Sequence, residues 1–71
     1  MEKVVISTDY IKLDQFIKWV GASDNGGEAK LMISEGKIKV NGEIERQRGK
    51  KIRSGDKIFI ELDEYVVVST L

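Results

Sequence analysis

The chain has 71 residues, 34% of them charged and 41% hydrophobic, which is the balance of one small ordered domain and leaves no room for a second domain or a long disordered tail. Cysteine, histidine and proline are all absent, which removes disulfides, Cys/His metal sites, a cysteine nucleophile and a Ser-His-Asp relay from consideration. Twelve basic and twelve acidic side chains cancel to a formal charge of zero, so any attraction for a polyanion must come from how the charges are distributed.

The distribution is uneven. Residues 1–36 carry a net charge of −2, residues 37–57 set eight basic side chains against three acids for +5, and residues 58–71 add −3. A segregated basic stretch on a neutral chain is the footprint expected of a phosphate-rich partner, although a solvated loop has the same composition. No uninterrupted apolar run approaches the roughly 20 residues needed to cross a bilayer, and no apolar signal region follows the first methionine. The chain is therefore expected to be soluble and cytoplasmic, with no membrane partner.

In chain order, Glu2 to Ser7 alternates around Val4 and Ile6 and predicts a short strand. Leu13, Phe16, Ile17 and Val20 follow the i, i+3, i+4, i+7 spacing of one helical stripe, predicting a helix over 13–20 that Gly21 ends. A second helix over 26–35 is predicted from Asn25 as N-cap, with Glu28 three residues on able to reach back as in a capping box. Ala29, Met32 and Ile33 form its apolar face, and Gly36 stops it. The connection between the helices is so short that they must pack as a pair.

The second half predicts strands. Ile38 and Val40 alternate with Lys37 and Lys39 and run straight into Asn41-Gly42, a strong two-residue hairpin signal because both positions tolerate positive φ. In such a hairpin Val40 pairs with Glu43 and Lys39 with Ile44, which puts Ile44 on the lysine face, so the pairing should end within a residue or two. Residues 45–53 are predicted as a basic connection and Ser54-Gly55-Asp56 as a turn. A strand then follows with Ile58, Ile60 and Leu62 inward, Asp63-Glu64 turns, and Tyr65 to Thr70 forms the last strand. The predicted core comprises Leu13, Ile17, Val20, Ala29, Ile33, Val40, Ile58 and Ile60, while Trp19 and Phe59 fall off the core faces.

Other motif readings fail on their chemistry. Gly21 and Gly26 have P-loop spacing, but Gly27-Glu28 stands where Lys and Ser/Thr are required. Asp14, Asp24, Glu28 and Glu35 each sit at a helix start or on a wet helical face and form no acid–base pair. No enzyme activity, cofactor, metal or small-molecule substrate is expected.

The order of residues carries more information. Lys12-Leu13-Asp14, Ile17, Gly21, Asn25, Ala29, Met32-Ile33, Gly36, Ile38, Val40-Asn41-Gly42 and Gly55-Asp56 resemble the S-four RNA-binding domain, the αL module, with spacing that fits without a gap from residue 12 to about residue 60. Gly26-Gly27-Glu28-Ala29-Lys30 and Arg48-Gly49-Lys50-Lys51 look like its small stand-alone, YaaA-like group of bacterial proteins. The resemblance implies one α+β domain over 1–71, with two packed helices against a short, mostly antiparallel sheet. It also implies binding to structured, often ribosomal, RNA. Lys12 stands where the family usually has Arg, Asn25 replaces a capping Ser, and Gly26 replaces an Arg that commonly contacts phosphate. Arg48-Gly49 stands in place of a frequent Pro-Ser.

The expected RNA-binding residues are Lys12, Lys30, Lys37, Lys39, Arg46, Arg48, Lys50 and Lys51. The basic connection would hold its charges beside the helix pair and dock phosphates, with recognition by shape because A-form major grooves exclude side chains. Gly26 and Gly27 leave the second helix start open to an anion, against which Glu28 works, or serve only helix packing. The chain is expected to act as a monomer. The competing expectation is a protein-interaction module that keeps the fold and docks onto a ribosome- or nucleoid-associated partner through Trp19, Phe59 or a sheet edge.

Overall fold

The computed structural model describes all of residues 1–71 and orders them as β1 (Glu2–Ile6), β2 (Tyr10–Lys12), α1 (Leu13–Trp19), α2 (Gly26–Ser34), β3 (Ile38–Val40), β4 (Glu43–Ile44), β5 (Lys51–Arg53), β6 (Lys57–Ile60) and β7 (Asp63–Ser69). Five strands form one sheet in the order β1-β7-β6-β3-β4, in which only the β1–β7 pair is parallel. β2 and β5 form a separate antiparallel ribbon. This is the expected α+β architecture, two helices against a mostly antiparallel sheet. No helix is long and apolar enough to cross a membrane.

Period-two alternation sorts the large sheet into two faces. Val4, Ile6, Ile38, Val40, Ile58, Ile60, Tyr65 and Val67 point inward and are buried, and Leu13, Phe16, Ile17, Ala29 and Ile33 of the helices close over them. Phe16 meets the Tyr65 ring edge-on, with centroids 5.7 Å apart and planes at 82°. α1 ends as expected, with Gly21 in the left-handed region at φ +81. Val20 is only half-buried, because it is the C-cap and its backbone is already leaving the helix at ψ −1. Asn25 caps α2 by accepting the Glu28 N–H on its side-chain oxygen at 2.9 Å. The reciprocal arm of the capping box does not form: Glu28 is exposed and its carboxylate bonds nothing.

The β3–β4 hairpin has the expected register, Val40 opposite Glu43 and Lys39 opposite Ile44, with Asn41 at φ 54 and Gly42 at φ 89. Ile44 is accordingly exposed, and β4 stops after two residues. Two further expectations are corrected. The β6–β7 turn lies at Glu61-Leu62, since Ile60 pairs with Asp63, and Leu62 is fully exposed at the tip, where no strand lies opposite it. Residues 45–53 are not a connection throughout: Lys51–Arg53 is strand β5, its partner is the unanticipated β2, and Ile52 between them is completely buried.

Tyr65 supplies a pH test of this core. Burial first, and then the charges of Asp63 and Glu2, push its phenol above the ordinary value of 10.0. The native state thus keeps a proton that the unfolded chain loses, so this contribution is complete below the unfolded value and is lost as pH rises through the native one. Between about pH 8 and about pH 11, urea unfolding should show a larger loss of stability for the parent than for Tyr65→Phe. Equal losses would place the phenol in water.

Candidate nucleic-acid interface

Helix α1 begins without a side-chain cap. Lys12 is its N-cap residue, in extended conformation (φ −71, ψ 146), and lysine has no acceptor to offer the first-turn amides. Two of those amides are satisfied from the other half of the chain, and the Gln15 N–H donates to the Asp14 carboxylate at 2.8 Å. The Leu13 N–H donates to the Lys50 carbonyl at 2.9 Å and the Asp14 N–H to the Arg48 carbonyl at 3.1 Å. The Lys50 N–H donates to the Gln47 carbonyl at 3.1 Å, folding 47–50 into a turn seated on the helix start. Two backbone bonds therefore hold the basic segment against Lys12.

The ribbon continues this surface. Lys12 pairs with Lys51, Ile11 with Ile52 and Tyr10 with Arg53. Because side chains alternate, Ile11 and Ile52 turn to the core while Tyr10, Lys12, Lys51 and Arg53 share the opposite face. Placing Lys12 directly across from Lys51 is unfavourable without a counter-charge. The Tyr10 ring receives both the Lys51 ammonium, 4.9 Å from its centroid, and the Arg53 guanidinium, at 5.4 Å. Arg53 also bonds the Asp9 carboxylate at 2.6 Å and is the one member of the face already paired. Lys12, Arg48, Lys50 and Lys51 are exposed, and no carboxylate lies in salt-bridge contact with any of them.

The other expected residues are placed differently. The Arg46 guanidinium donates to the Ser34 carbonyl at 2.8 Å and lies over Gly36, where a Cβ would come within 3.3 Å of it. It supplies the C-terminal positive charge that α2 lacks in its own last turn. Lys37 pairs with Glu35 at 3.5 Å. Lys39 stands on the outward face of the large sheet, opposite Phe59, and Lys30 is exposed on α2. Neither belongs to the ribbon. A Cβ at Gly26 would meet nothing within 4 Å, so helix packing does not require that glycine.

Tyr10 and Arg53 are the members of this face absent from the expected RNA-binding residues. Their signal was present as Tyr10-Ile11-Lys12 and Lys51-Ile52-Arg53, two short alternations with an isoleucine at the centre of each.

Residues 4–68 match the S4 domain family. The Bacillus subtilis protein named "Probable ribosome maturation protein RlbA" is 40% identical over 58 residues, 82% of either chain. The Escherichia coli protein named "Putative RNA-binding protein YbcJ" is 35% identical over 49 residues, 69% of this chain and 70% of its own. The crystal structure of 30S ribosomal protein S4e from Thermoplasma acidophilum is similar in fold, with a TM-score of 0.70 and 24% identity over 84% of this chain, which corresponds to 32% of that protein. A family match spanning nearly the whole sequence, together with relatives similar over most of their own length, shows that the chain belongs to the S4 domain family.

Proposed function

We propose that this protein binds structured RNA, ribosomal in origin, by neutralising backbone phosphates with Lys12, Arg48, Lys50 and Lys51, and that it carries out no covalent step. The observation behind this reading is the docking of 47–50 onto the start of α1, which brings the backbone of Arg48 and Lys50 against the Lys12–Lys51 pair from a distant part of the chain, with Lys50 also lining a groove shared with Glu43, Glu45 and Asp56. The backbone hydrogen bonds hold the cluster in place, so little chain entropy is lost when a ligand arrives. The facing pair Lys12 and Lys51 repels in the free protein and is relieved by a phosphate between them. The names of the relatives, one a ribosome maturation protein and one an RNA-binding protein, point to the same class of partner.

The remaining cations divide by their surroundings. Arg46 first secures α2, with guanidinium donors left over for a phosphate, whereas Lys37 already has a carboxylate partner. Lys30 and Lys39 extend the surface only for an RNA large enough to reach past the ribbon. The test compares single variants: Lys12→Ala should flatten the plot of log affinity against log salt by about 0.7 to 0.9. Lys37→Ala should leave that slope unchanged. Equal effects of the two would favour a diffuse field over a built cluster. Crosslinking in cells followed by sequencing of the attached RNA would then identify the partner.

A further inference from the structure

Beside the basic ribbon, at the open edge of β1, lies an apolar groove of about 280 Å³ lined by Val5, Ile6, Ser7, Thr8, Ile11 and Trp19. Trp19, at the last position of α1, is 67% exposed, and Val5 is 51% exposed. In a domain this small a bare tryptophan facing an apolar trough is unusual, because large aromatics ordinarily provide the core. Its indole N–H makes no hydrogen bond within the protein, and neither does the Ser7 hydroxyl. The Thr8 hydroxyl, by contrast, is used on the Tyr10 carbonyl at 2.8 Å.

We propose that this groove holds one unpaired base of the RNA whose backbone lies on the ribbon, stacked on Trp19. The inference rests on the RNA-binding reading and adds to it a contact that phosphate neutralisation does not need. Three features favour a base over a protein segment. The groove and the cationic face share strand β2: Ile11 lines the groove, while its neighbours Tyr10 and Lys12 stand on the cationic face. A single strand rounding β2 would pass from one to the other, and surfaces for unpaired nucleic acid combine such a cationic track with aromatic platforms. The volume lies just below the usual range of ligand sites, about 300 to 1,000 Å³, and leaves room for a single planar ring rather than a helix. The Ser7 hydroxyl lines the groove without a hydrogen-bond partner in the protein and is available to the polar edge of a base.

Trp19 is the only tryptophan in the chain, so its fluorescence reports the groove alone. Titrating the protein with an RNA hairpin carrying a loop of unpaired bases should quench Trp19, whereas a fully paired duplex of equal length should bind without quenching. Trp19→Ala should weaken hairpin binding roughly tenfold, Trp19→Phe by less, and duplex binding should not change. The salt slope should stay the same in all three proteins. Abasic nucleotides in the loop should remove the same factor from the parent and nothing further from Trp19→Ala. Salt-dependent hairpin binding with unquenched Trp19 and an unaffected Trp19→Ala would overturn the base contact while leaving the phosphate reading intact, and the groove would then serve a protein segment. Failure of the parent to bind either RNA would overturn both.

Discussion

Phe16→Ala should destabilise the domain by about 3 to 5 kcal/mol, the cost of losing a buried phenyl ring and leaving its cavity. Phe16 is fully buried, stands at the centre of the α1 stripe, and meets Tyr65 of β7 edge-on, so it joins helix to sheet. A chain of 71 residues has a total stability of roughly 4 to 10 kcal/mol, so this one change removes a large share of it. The denaturation midpoint should fall steeply with the m-value unchanged. Phe16→Leu, which keeps most of the volume, should cost less than about 1.5 kcal/mol. A loss below about 1 kcal/mol for the alanine variant would mean that α1 does not pack on the sheet through this face.

Ile52→Ala should cost about 2 to 5 kcal/mol, with a consequence for the site as well as for the fold. Ile52 is the inward residue of β5, fully buried, and its cross-strand neighbour Ile11 is only partly so. Removing it loosens the ribbon that sets Lys51 opposite Lys12 and the turn that caps α1. Amide exchange should therefore accelerate at Leu13 and Asp14, whose N–H groups depend on the Lys50 and Arg48 carbonyls, more than it does after Ile38→Ala in the large sheet. RNA affinity should fall beyond what global unfolding explains. Uniform acceleration in both variants would show that the ribbon opens only together with the whole domain.

Both helices were legible in the sequence because each carries an apolar stripe of helical period and ends at a glycine with positive φ, Gly21 or Gly36. The hairpin at Asn41-Gly42 and the early end of β4 were equally legible, since pairing parity alone forces Ile44 outward. β2 and β5 were not. Each has three residues and one inward isoleucine, too few for a period to show, and what makes them strands is one another across the intervening residues 13–50. Leu62 misled for the opposite reason: it continues the alternation of Ile58 and Ile60, but the sheet ends before it.

The same limits govern the site. Charge segregation pointed to the basic stretch, and the αL resemblance pointed to Lys12, but only the fold shows that they meet. Arg46 and Lys37 look in sequence like any other member of the stretch. Their roles depend on a carbonyl at the end of α2 and on a neighbouring carboxylate. Tyr10 is distant in the chain from the basic stretch and reaches Lys51 and Arg53 only through the ribbon.

The most direct test of the cluster replaces Arg48, Lys50 and Lys51 together with alanine and measures affinity for several unrelated structured RNAs across a range of salt. All three side chains are exposed and their backbone bonds do not depend on them, so the fold should survive. If each neutralises a phosphate, affinity should fall by similar factors for every RNA, and the slope of log affinity against log salt should flatten by about 2 to 3 units. Unchanged affinity and slope in the triple variant would make 47–51 a solvated segment and contradict the assignment of this surface.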